Sequence, residues 1–387
     1  MGDHKKSGSW ARSEQNLPAH VPALDGVRGV AVMLVFISHL HMILSPELTF
    51  REVTPWKFIN RTFEAGFMGV DIFFVLSGFL ITSLLLKERS HNQLGMLSRF
   101  YKRRALRLLP ALYALLIASF FVSRWENFPR DIQWRTTWHA LLYLNNWNIV
   151  WNFGKAQNDL GHLWSLGIEE QFYLIWPLTI LLLAKLKIPS KMLIPLILFA
   201  SLVVMVHRTS LWNNGVSWLI LYVRTDARVD SLLIGAMFAY VYRHYRVPSK
   251  ILNWAASLCL VGLIYIKYRF GSPPLQPFLF QEGFTVIAVL AGTIILAVAE
   301  GSWFANRVLI SRPLTIIGKV SYGLYLWHLP IFVVLGRHVT SGPKPLRLLI
   351  GITLASVVTS LSWYFVEKPF LNIKNRRYGN VPVINLH

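Results

Sequence analysis

The sequence has one cysteine and few charged residues for its length, and each shortage excludes a class of protein. Cys259 is the only cysteine among 387 residues, so no disulfide forms within the chain and no cysteine cluster binds a metal. Only 15% of the residues are charged, whereas a soluble globular domain has about a quarter. With 54% hydrophobic residues and a mean hydropathy of +0.45, the chain is expected to be a polytopic membrane protein.

Acidic residues are also scarce, with 18 against 39 lysines and arginines, which gives a formal net charge of +21. Such an excess is typical of nucleic-acid-binding proteins, but basic residues at the inner ends of membrane spans largely explain it without a nucleic acid. The sequence also has no P-loop, no zinc-ligand spacing and no GxSxG nucleophile elbow. We therefore expect a protein embedded in the lipid bilayer, with no metal site and no nucleic-acid partner.

Ten apolar segments are predicted to cross the bilayer. Most run for about 18–22 residues, which favours an all-α bundle of about ten transmembrane helices over a β-barrel. The predicted spans are residues 24–44, 66–87, 105–123, 163–184, 191–208, 228–243, 251–268, 281–299, 313–335 and 345–366. The sixth is the weakest because Arg228 and Asp230 interrupt its start. We expect these two residues to pair with each other or with charges of the first and fourth spans.

The distribution of basic residues predicts the orientation of the bundle. With the N-terminus inside, 22 of the 39 lysines and arginines fall in inner segments and 15 in outer ones, while Arg28 and Arg107 lie at span starts. This bias and the even number of spans predict that both termini lie in the cytoplasm. We expect the protein to lie in the plasma membrane. Residues 1–23 are predicted to be a disordered cytoplasmic tail without a signal peptide, residues 24–368 the transmembrane domain, and residues 369–387 a short cytoplasmic tail.

The first span carries an arginine and a histidine on one helical face. His39 follows Arg28 by eleven residues, which on an α-helix is about 16 Å of rise and within about 20° of whole turns. Ionisable groups at membrane depth are costly and are functional candidates by default. A neutral imidazole accepts a proton near pH 7, so His39 is a candidate general base, with a packing role as the alternative. Arg28 either faces the same site or extends its side chain to the interface.

Three acidic residues lie at positions from which they can assist this histidine. Asp71 is near one end of the second span, and Glu169 and Glu170 open the fourth. Helical neighbours are about 100° apart, so we expect one of the two glutamates to face the bundle interior and the other the interface. A buried carboxylate beside His39 raises its basicity and fixes its tautomer. Glu169 is the preferred partner and Asp71 the alternative; His328, in the ninth span, is a further intramembrane histidine.

Two further segments have compositions that indicate binding. Arg104 and Arg107, at the start of the third span, are three residues apart on one helical face. Arginine side chains match phosphate oxygens in a two-pronged geometry, so the pair is predicted to bind a phosphorylated ligand. Residues 124–162 are rich in tryptophan and asparagine. That composition suits contact with a sugar, and a loop resting in the lipid headgroups is the alternative.

Five motifs, in this order along the chain, resemble those of the acyltransferase-3 family of membrane-integral acyltransferases. They are Arg28-x10-His39, GVDxFFVLSGFLI from Gly69 to Ile81, RxxR at Arg104 and Arg107, WSLxxEEQFY from Trp164 to Tyr173, and SYxLYLWH from Ser321 to His328. The resemblance implies about ten helices that move an acyl group, commonly acetyl, from cytoplasmic coenzyme A to a hydroxyl. Many members carry a fused SGNH-type esterase domain, which we do not expect here because about twenty residues follow the last span.

The resemblance and the residues together give a functional hypothesis. Acyl-CoA, most simply acetyl-CoA, is the expected donor substrate, and no cofactor is bound permanently. Arg104 and Arg107 would bind its phosphates, and Arg28 would hold a phosphate or the carbonyl region. His39, assisted by Glu169, would deprotonate the acceptor hydroxyl, and a covalent acyl-His39 intermediate is the other route. The expected acceptor is an extracytoplasmic or lipid-linked saccharide; the alternatives are acylation of a small molecule such as a macrolide, or transport of a sugar-linked lipid.

Overall fold

The computed structural model describes residues 21–44, 66–87, 93–152, 159–271 and 276–378, and this part of the chain is helical with no β-strand. The first helices are α1 Pro22–His39, α2 His41–Leu44, α3 Gly66–Lys87, α4 Gln93–Trp125, α5 Arg130–Leu141, α6 Asn145–Trp151, α7 Trp164–Lys185, α8 Leu193–Asn213 and α9 Trp218–Val223. The others are α10 Thr225–His244, α11 Ser249–Phe270, α12 Phe284–Ala299, α13 Asn306–Leu309, α14 Arg312–Lys319, α15 Ser321–His338, α16 Lys344–Ser362 and α17 Lys368–Tyr378.

Each of the ten predicted spans coincides with a helix or with two consecutive helices. Within the described residues, eight helical segments are long and apolar enough to cross a membrane, or nine if α14 and α15, which meet at a bend of 73°, form one span. The sixth predicted span is α10, which is not among these eight or nine. The chain is therefore an all-α polytopic membrane protein, as its composition predicted. Residues 1–20 and 379–387 of the predicted tails lie outside the described residues.

Helix α3 occupies the interior of the bundle, and α8 lies at its periphery. The most apolar stretch of α3 is 72% buried, against 17% for that of α8. Large apolar side chains of α8, among them Phe199, Val203 and Val206, are exposed on the outer surface of the bundle. Such a surface is what a lipid-facing helix presents, because hydrocarbon tails solvate it as well as protein does.

Glycines allow α3 and α10 to pack backbone against backbone. A Cβ atom on Gly78 would collide with the carbonyl oxygen of Leu232, and one on Gly235 would collide with the carbonyl oxygen of Val75. Two helices approach this closely only where the residues at the crossing are small. The crossing therefore holds α10 firmly against the central helix, even though α10 carries charges.

Helix α1 is fixed at its start by α13 and α14. A Cβ on Gly26 would collide with the carbonyl oxygen of Leu309, and one on Gly318 would collide with that of Asp25. Because α14 packs tightly against this first part of α1, the backbone at Arg28 is held in a fixed position. The packing also orients α15, which follows α14 after the bend.

The buried charges of α10 pair differently from the sequence-based prediction. Arg228 donates from Nη2 to Oδ1 of Asp71 at 2.6 Å, and Arg208 of α8 donates from Nη1 to Oδ2 of Asp230 at 2.9 Å. All four side chains are fully buried. The prediction that Arg228 and Asp230 pair with each other, or with the first and fourth spans, is therefore wrong. Charges at this depth are stable only when paired, and the partners lie on α3 and α8.

Arg208 also binds backbone that the helix before α12 leaves without partners. Residues Leu279–Gly283 form a π-helical turn. Its wider spacing leaves carbonyl groups available, and Arg208 donates from Nε to the carbonyl oxygen of Phe280 at 3.0 Å and from Nη2 to that of Gln281 at 3.3 Å. This arginine therefore has a structural role in joining α8, α10 and α12.

Candidate active site

A cavity between α1, α3, α4, α7 and α15 contains most of the residues that the motifs single out. It encloses about 770 Å³ including its open mouth. The charged and phenolic side chains around it come from four of these helices, namely α1, α4, α7 and α15, and they are Arg28, Arg104, Arg107, Glu169, Glu170, Tyr173, Tyr322 and Tyr325. Three guanidinium groups against two carboxylates give the cavity a positive charge balance, which suits an anionic ligand.

Arg104 is held in place by two residues of α7. Its Nε and Nη2 atoms donate to the carboxylate of Glu170 in a two-pronged contact, with Nε to Oε2 at 2.9 Å and Nη2 to Oε1 at 2.5 Å. Its guanidinium also lies over the ring of Tyr173, with the carbon Cζ 3.3 Å from the ring centroid. Glu170 and Tyr173 are three residues apart, so one face of α7 supplies both contacts. The charge of Arg104 is therefore neutralised by Glu170, and its side chain is held as part of the cavity wall.

The other two arginines carry their charge into the cavity with less compensation. Arg28 contacts Asp25 through a single long ion pair, with Nη1 to Oδ1 at 3.4 Å. Arg107 makes no hydrogen bond and no ion pair with any residue that the structure describes, although it is partly buried. A cation in such a site lacks the anion that would offset its desolvation. Arg28 and Arg107 are therefore the residues best placed to meet an anionic ligand.

The two glutamates of α7 face the same cavity, but they contact different helices. Glu170 binds Arg104 of α4, whereas Glu169 accepts a hydrogen bond from the hydroxyl of Ser77 in α3 at 2.6 Å. Both side chains line the cavity wall. The prediction that one of them would face the interface is therefore wrong: the 100° between neighbours directs them to α3 and α4, which flank α7 on either side of the cavity.

His39 contacts another histidine and neither of the predicted carboxylates. Its Nδ1 atom lies 3.0 Å from Nε2 of His328, which is fully buried. The carboxylate of Glu169 is bound to Ser77, and that of Asp71 to Arg228 and Ser231. The structure thus contradicts the pairing of His39 with Glu169 or Asp71. Asp71 belongs to the buried ion pair of α3 and α10 and does not line the cavity.

The histidines lie behind one end of the cavity. Ser165 and Tyr325 form this part of the wall, and their hydroxyl oxygens are 2.6 Å apart. The ring of Tyr325 is 5.7 Å from that of His328, measured between centroids. A ligand that fills the cavity from Arg107 to Tyr325 therefore ends one side chain away from the histidine pair. No group of three histidine, cysteine or acidic residues in the described chain is arranged to hold a metal ion.

Comparison with known proteins agrees with the motifs. A family model described as "Acyltransferase domain" matches residues 21–366. The chain belongs to this acyltransferase family. The peptidoglycan O-acetyltransferase OatA of Listeria monocytogenes is 32% identical to it over 368 residues, and the O-acetyltransferase OatA of Staphylococcus aureus is 33% identical over 369 residues. The alignments cover 90% and 91% of this chain.

The chain matches only part of the length of these relatives. The chain spans 56% of the Listeria protein and 57% of the Staphylococcus protein. No solved structure matches it. Family membership confirms the resemblance that the five motifs indicate.

Three asparagines of the segment between α4 and α7, namely Asn145, Asn146 and Asn148, are buried within the protein and are not available to a sugar. Asn146 is fully buried and donates to the carbonyl oxygen of Val223 at 3.2 Å and to the hydroxyl of Thr225 at 2.9 Å. Its side-chain oxygen accepts a hydrogen bond from Gln171 at 2.9 Å. By contrast, three tryptophans of the same segment are exposed on the surface, namely Trp134, Trp138 and Trp151. Amide contact with a sugar is therefore wrong for Asn146, whose partners are all protein groups.

Replacement of Asn146 by alanine is expected to destabilise the protein without changing its affinity for the acceptor. The change removes three hydrogen bonds from a fully buried side chain, those with Val223, Thr225 and Gln171, at a cost of about 1–3 kcal/mol. Thermal unfolding in detergent and the KM for the acceptor measure the two effects. Asn214→Ala is the matched control, because Asn214 is exposed and caps only its own helix. A raised KM for the acceptor with unchanged stability would contradict the structural role.

The sequence predicts His328 to be an intramembrane histidine without indicating its role, and it does not predict Ser165 and Tyr325 as part of the site. Both histidine contacts and the cavity wall join residues that are far apart in the chain. The one signal present was the position of Ser165 and Tyr325 inside two of the five motifs.

Proposed function

We propose that this acyltransferase moves an acyl group, most simply acetyl, from acyl-CoA on the cytoplasmic side to a hydroxyl of an extracytoplasmic or lipid-linked saccharide. The observation that carries the proposal is the cationic cavity, in which Arg107 has no ion-pair partner among the described residues and which ends beside the histidine pair. Coenzyme A bears several phosphate oxygens, which guanidinium groups bind through paired hydrogen bonds. The names of the two relatives, which refer to O-acetyl transfer, support a saccharide acceptor for this chain.

The donor would be bound with its phosphates at the arginine end of the cavity. Arg107 forms no ion pair with a described carboxylate, and Arg28 has only the 3.4 Å ion pair with Asp25. Arg104, held by Glu170, is part of the same cavity wall. The acyl end would then extend towards Ser165 and Tyr325. This orientation brings the thioester near His39 and leaves the free acceptor to approach the histidine from outside the cavity.

His39 would act as the general base. An unprotonated ring nitrogen takes the proton of the acceptor hydroxyl as its oxygen attacks the thioester carbonyl, and the tetrahedral intermediate forms. When the intermediate collapses, the carbon–sulfur bond breaks, and the ester remains on the acceptor. The coenzyme A thiolate leaves and takes the proton from the imidazolium, which restores neutral His39. Glu169 stays bound to Ser77 and contributes negative charge to the cavity wall, opposite the arginines.

The direct test uses the purified protein in nanodiscs with acyl-CoA labelled in the acyl group. Label is expected to move to an added saccharide acceptor, and free coenzyme A should appear in equal amount. In cells, mass spectrometry of envelope glycans with and without the gene should show the acylated sugar only when the gene is present. Movement of a sugar-linked lipid across the membrane without any need for acyl-CoA would overturn the proposal.

Arg107→Gln is expected to weaken acyl-CoA binding with little effect on folding. The variant loses charge-assisted hydrogen bonds to phosphate of about 2 kcal/mol, or about 30-fold in KM for the donor. Because Arg107 makes no hydrogen bond or ion pair with a described residue, its replacement removes no such contact from the fold. Lys102→Gln is the control, since Lys102 is exposed on the same helix and does not line the cavity. An equal rise in KM for both variants would show that only the general basic charge matters.

A further inference from the structure

We infer that His328 sets the protonation of His39: it holds the proton of His39 on Nδ1 and leaves Nε2 free to act as the base. In this role His328 is a positioning residue for the transfer reaction, and the inference rests on the proposed function. It comes from the hydrogen bonds of two side chains that lie 289 residues apart in the chain.

The carbonyl of Leu324 determines which nitrogen of His328 carries a proton. Nδ1 of His328 lies 2.9 Å from the carbonyl oxygen of Leu324, one turn earlier in α15. A carbonyl oxygen only accepts hydrogen bonds, so Nδ1 of His328 is the donor. A neutral imidazole has one N–H group. Nε2 of His328 is therefore a bare acceptor, and the group it faces must donate.

The group that faces Nε2 of His328 is Nδ1 of His39, at 3.0 Å. Nδ1 of His39 must then carry the proton, and its Nε2 keeps a free lone pair. No described residue forms a hydrogen bond to this second nitrogen. Of the two tautomers of neutral His39, the structure thus selects the one in which the lone pair is on Nε2, the nitrogen that no described residue engages.

The surroundings of His328 keep it neutral, which the argument requires. Its ring is fully buried and lies against Phe36, Phe332, Tyr325 and His162, with centroid distances of 5.6–6.0 Å. The titratable groups facing the pair are His162 and Tyr325 beside His328, and His41 two residues beyond the end of α1. No described carboxylate hydrogen-bonds to either imidazole. A charged ring without an anion in such a place is strongly disfavoured.

His162 supports this arrangement from the other side. Its Nε2 donates to the carbonyl oxygen of Leu326 at 3.2 Å, and its own carbonyl oxygen accepts a hydrogen bond from Tyr325 at 2.7 Å. Since the hydroxyl proton of Tyr325 goes to this carbonyl, Ser165 is the donor in the contact between the two hydroxyl groups. These bonds fix the turn of α15 that carries His328.

The arrangement also serves the charged state of the reaction. When Nε2 of His39 takes a proton, its Nδ1–H group becomes a stronger donor, and the lone pair of His328 is already in place to accept it. No side chain has to move as the charge forms, which is the condition for efficient electrostatic stabilisation. A carboxylate would do the same with a full charge; a neutral imidazole does it inside a membrane without the desolvation cost of an anion.

The test compares two replacements of His328. Gln has a side-chain oxygen that accepts from His39 and an amide that donates to Leu324, whereas Leu has neither. His328→Leu is expected to lower kcat by about 100-fold, with the KM for acyl-CoA within about threefold of wild type. His328→Gln should recover about tenfold of that loss. Unchanged kcat in the Leu variant, or equal losses in both variants with equal thermal stability, would overturn the inference.

A spectroscopic measurement addresses the tautomer without any turnover. In nanodiscs with nitrogen-labelled histidine, His39 of the wild type should give the signals of an Nδ1–H ring, and His328→Leu should shift it towards the Nε2–H form. His39→Gln assigns the signal. An Nε2–H ring in the wild type would overturn the inference. An Nδ1–H ring in a protein that transfers no acyl group from acyl-CoA would instead overturn the proposed function and leave the histidine pairing intact.

Discussion

His39→Ala is expected to reduce acyl transfer by about 100- to 10,000-fold, the range over which a positioned general base contributes. Donor binding should change little, because His39 does not line the cavity and Arg28 lies about 16 Å before it along α1. The measurement is the rate of labelled acyl transfer from acyl-CoA to a saccharide, together with the affinity of the purified variant for the donor. Loss of rate with retained affinity places the effect on the chemical step.

His41→Ala is the matched control for this experiment. His41 follows His39 by two residues and starts α2, where its Nδ1 lies 2.7 Å from the carbonyl oxygen of Ser38. It makes no hydrogen bond to His328 and is expected to keep at least about half of the wild-type rate. Full transfer activity in His39→Ala would contradict both the general-base mechanism and an acyl-His39 intermediate.

Labelling of the protein in the absence of an acceptor separates direct transfer from the covalent route. In direct transfer, protein incubated with labelled acyl-CoA and no acceptor keeps no label after denaturation. In the covalent route the label stays on His39 until a hydroxyl or water removes it. The tautomer inferred above is compatible with a nucleophile as well as with a base, since Nε2 carries the free lone pair in both. We favour the direct route because it needs no second acyl transfer.

Much of the fold could be predicted from the sequence because spans are defined by local composition. All ten apolar segments became helices, and Arg28 and His39 lie on the single helix α1. The boundaries were less accurate: α4 begins at Gln93, about a dozen residues before the predicted start of the third span, and continues through Pro110. Charged residues reduce hydropathy at that end without ending the helix, so the hydropathy pattern did not show it.

The sequence also indicated which side chains gather in the site, but it did not give their partners. The spacing of Arg104 and Arg107 predicts the same phosphate-binding role for both, yet only Arg104 binds Glu170 on α7. His39 contacts His328, which is 289 residues away in the chain, and Asp71 contacts Arg228, which is 157 residues away. Such pairs depend on how helices pack across the whole bundle, and a single sequence holds no direct signal of that packing. The contacts that decide the chemistry were therefore the part that required the structure.

Breaking the ion pair of Asp71 and Arg228 is expected to cause a large loss of stability, because both side chains are fully buried. Asp71→Asn leaves the guanidinium of Arg228 fully buried without an anion, and breaking a buried pair in this way costs about 3–5 kcal/mol. The ring of Phe284, 3.6 Å from Cζ of Arg228, offsets only part of this loss. Thermal unfolding in detergent, followed as the loss of folded protein, measures the effect.

A double variant distinguishes a structural role from a catalytic one. Oδ2 of Asp71 and the Nε and Nη1 atoms of Arg228 have no hydrogen-bond partner among the described residues, so the pair is only partly satisfied. Replacing both by leucine should therefore restore most of the stability lost in Asp71→Asn, because apolar pairs often replace buried ion pairs without loss. The transfer rate per folded molecule should remain close to that of wild type.

Asp226→Asn provides the scale for this comparison. Asp226 binds Arg224 in a pair whose side chains are 38% and 24% exposed, and removal of one charge from such a pair costs at most about 1 kcal/mol. If Asp71→Asn lost no more stability than Asp226→Asn while its transfer rate fell by a large factor, Asp71 would belong to the chemistry after all. The geometry argues against that result, since Asp71 is bound to Arg228 and Ser231 and its carboxylate faces α10, away from His39 and the cavity.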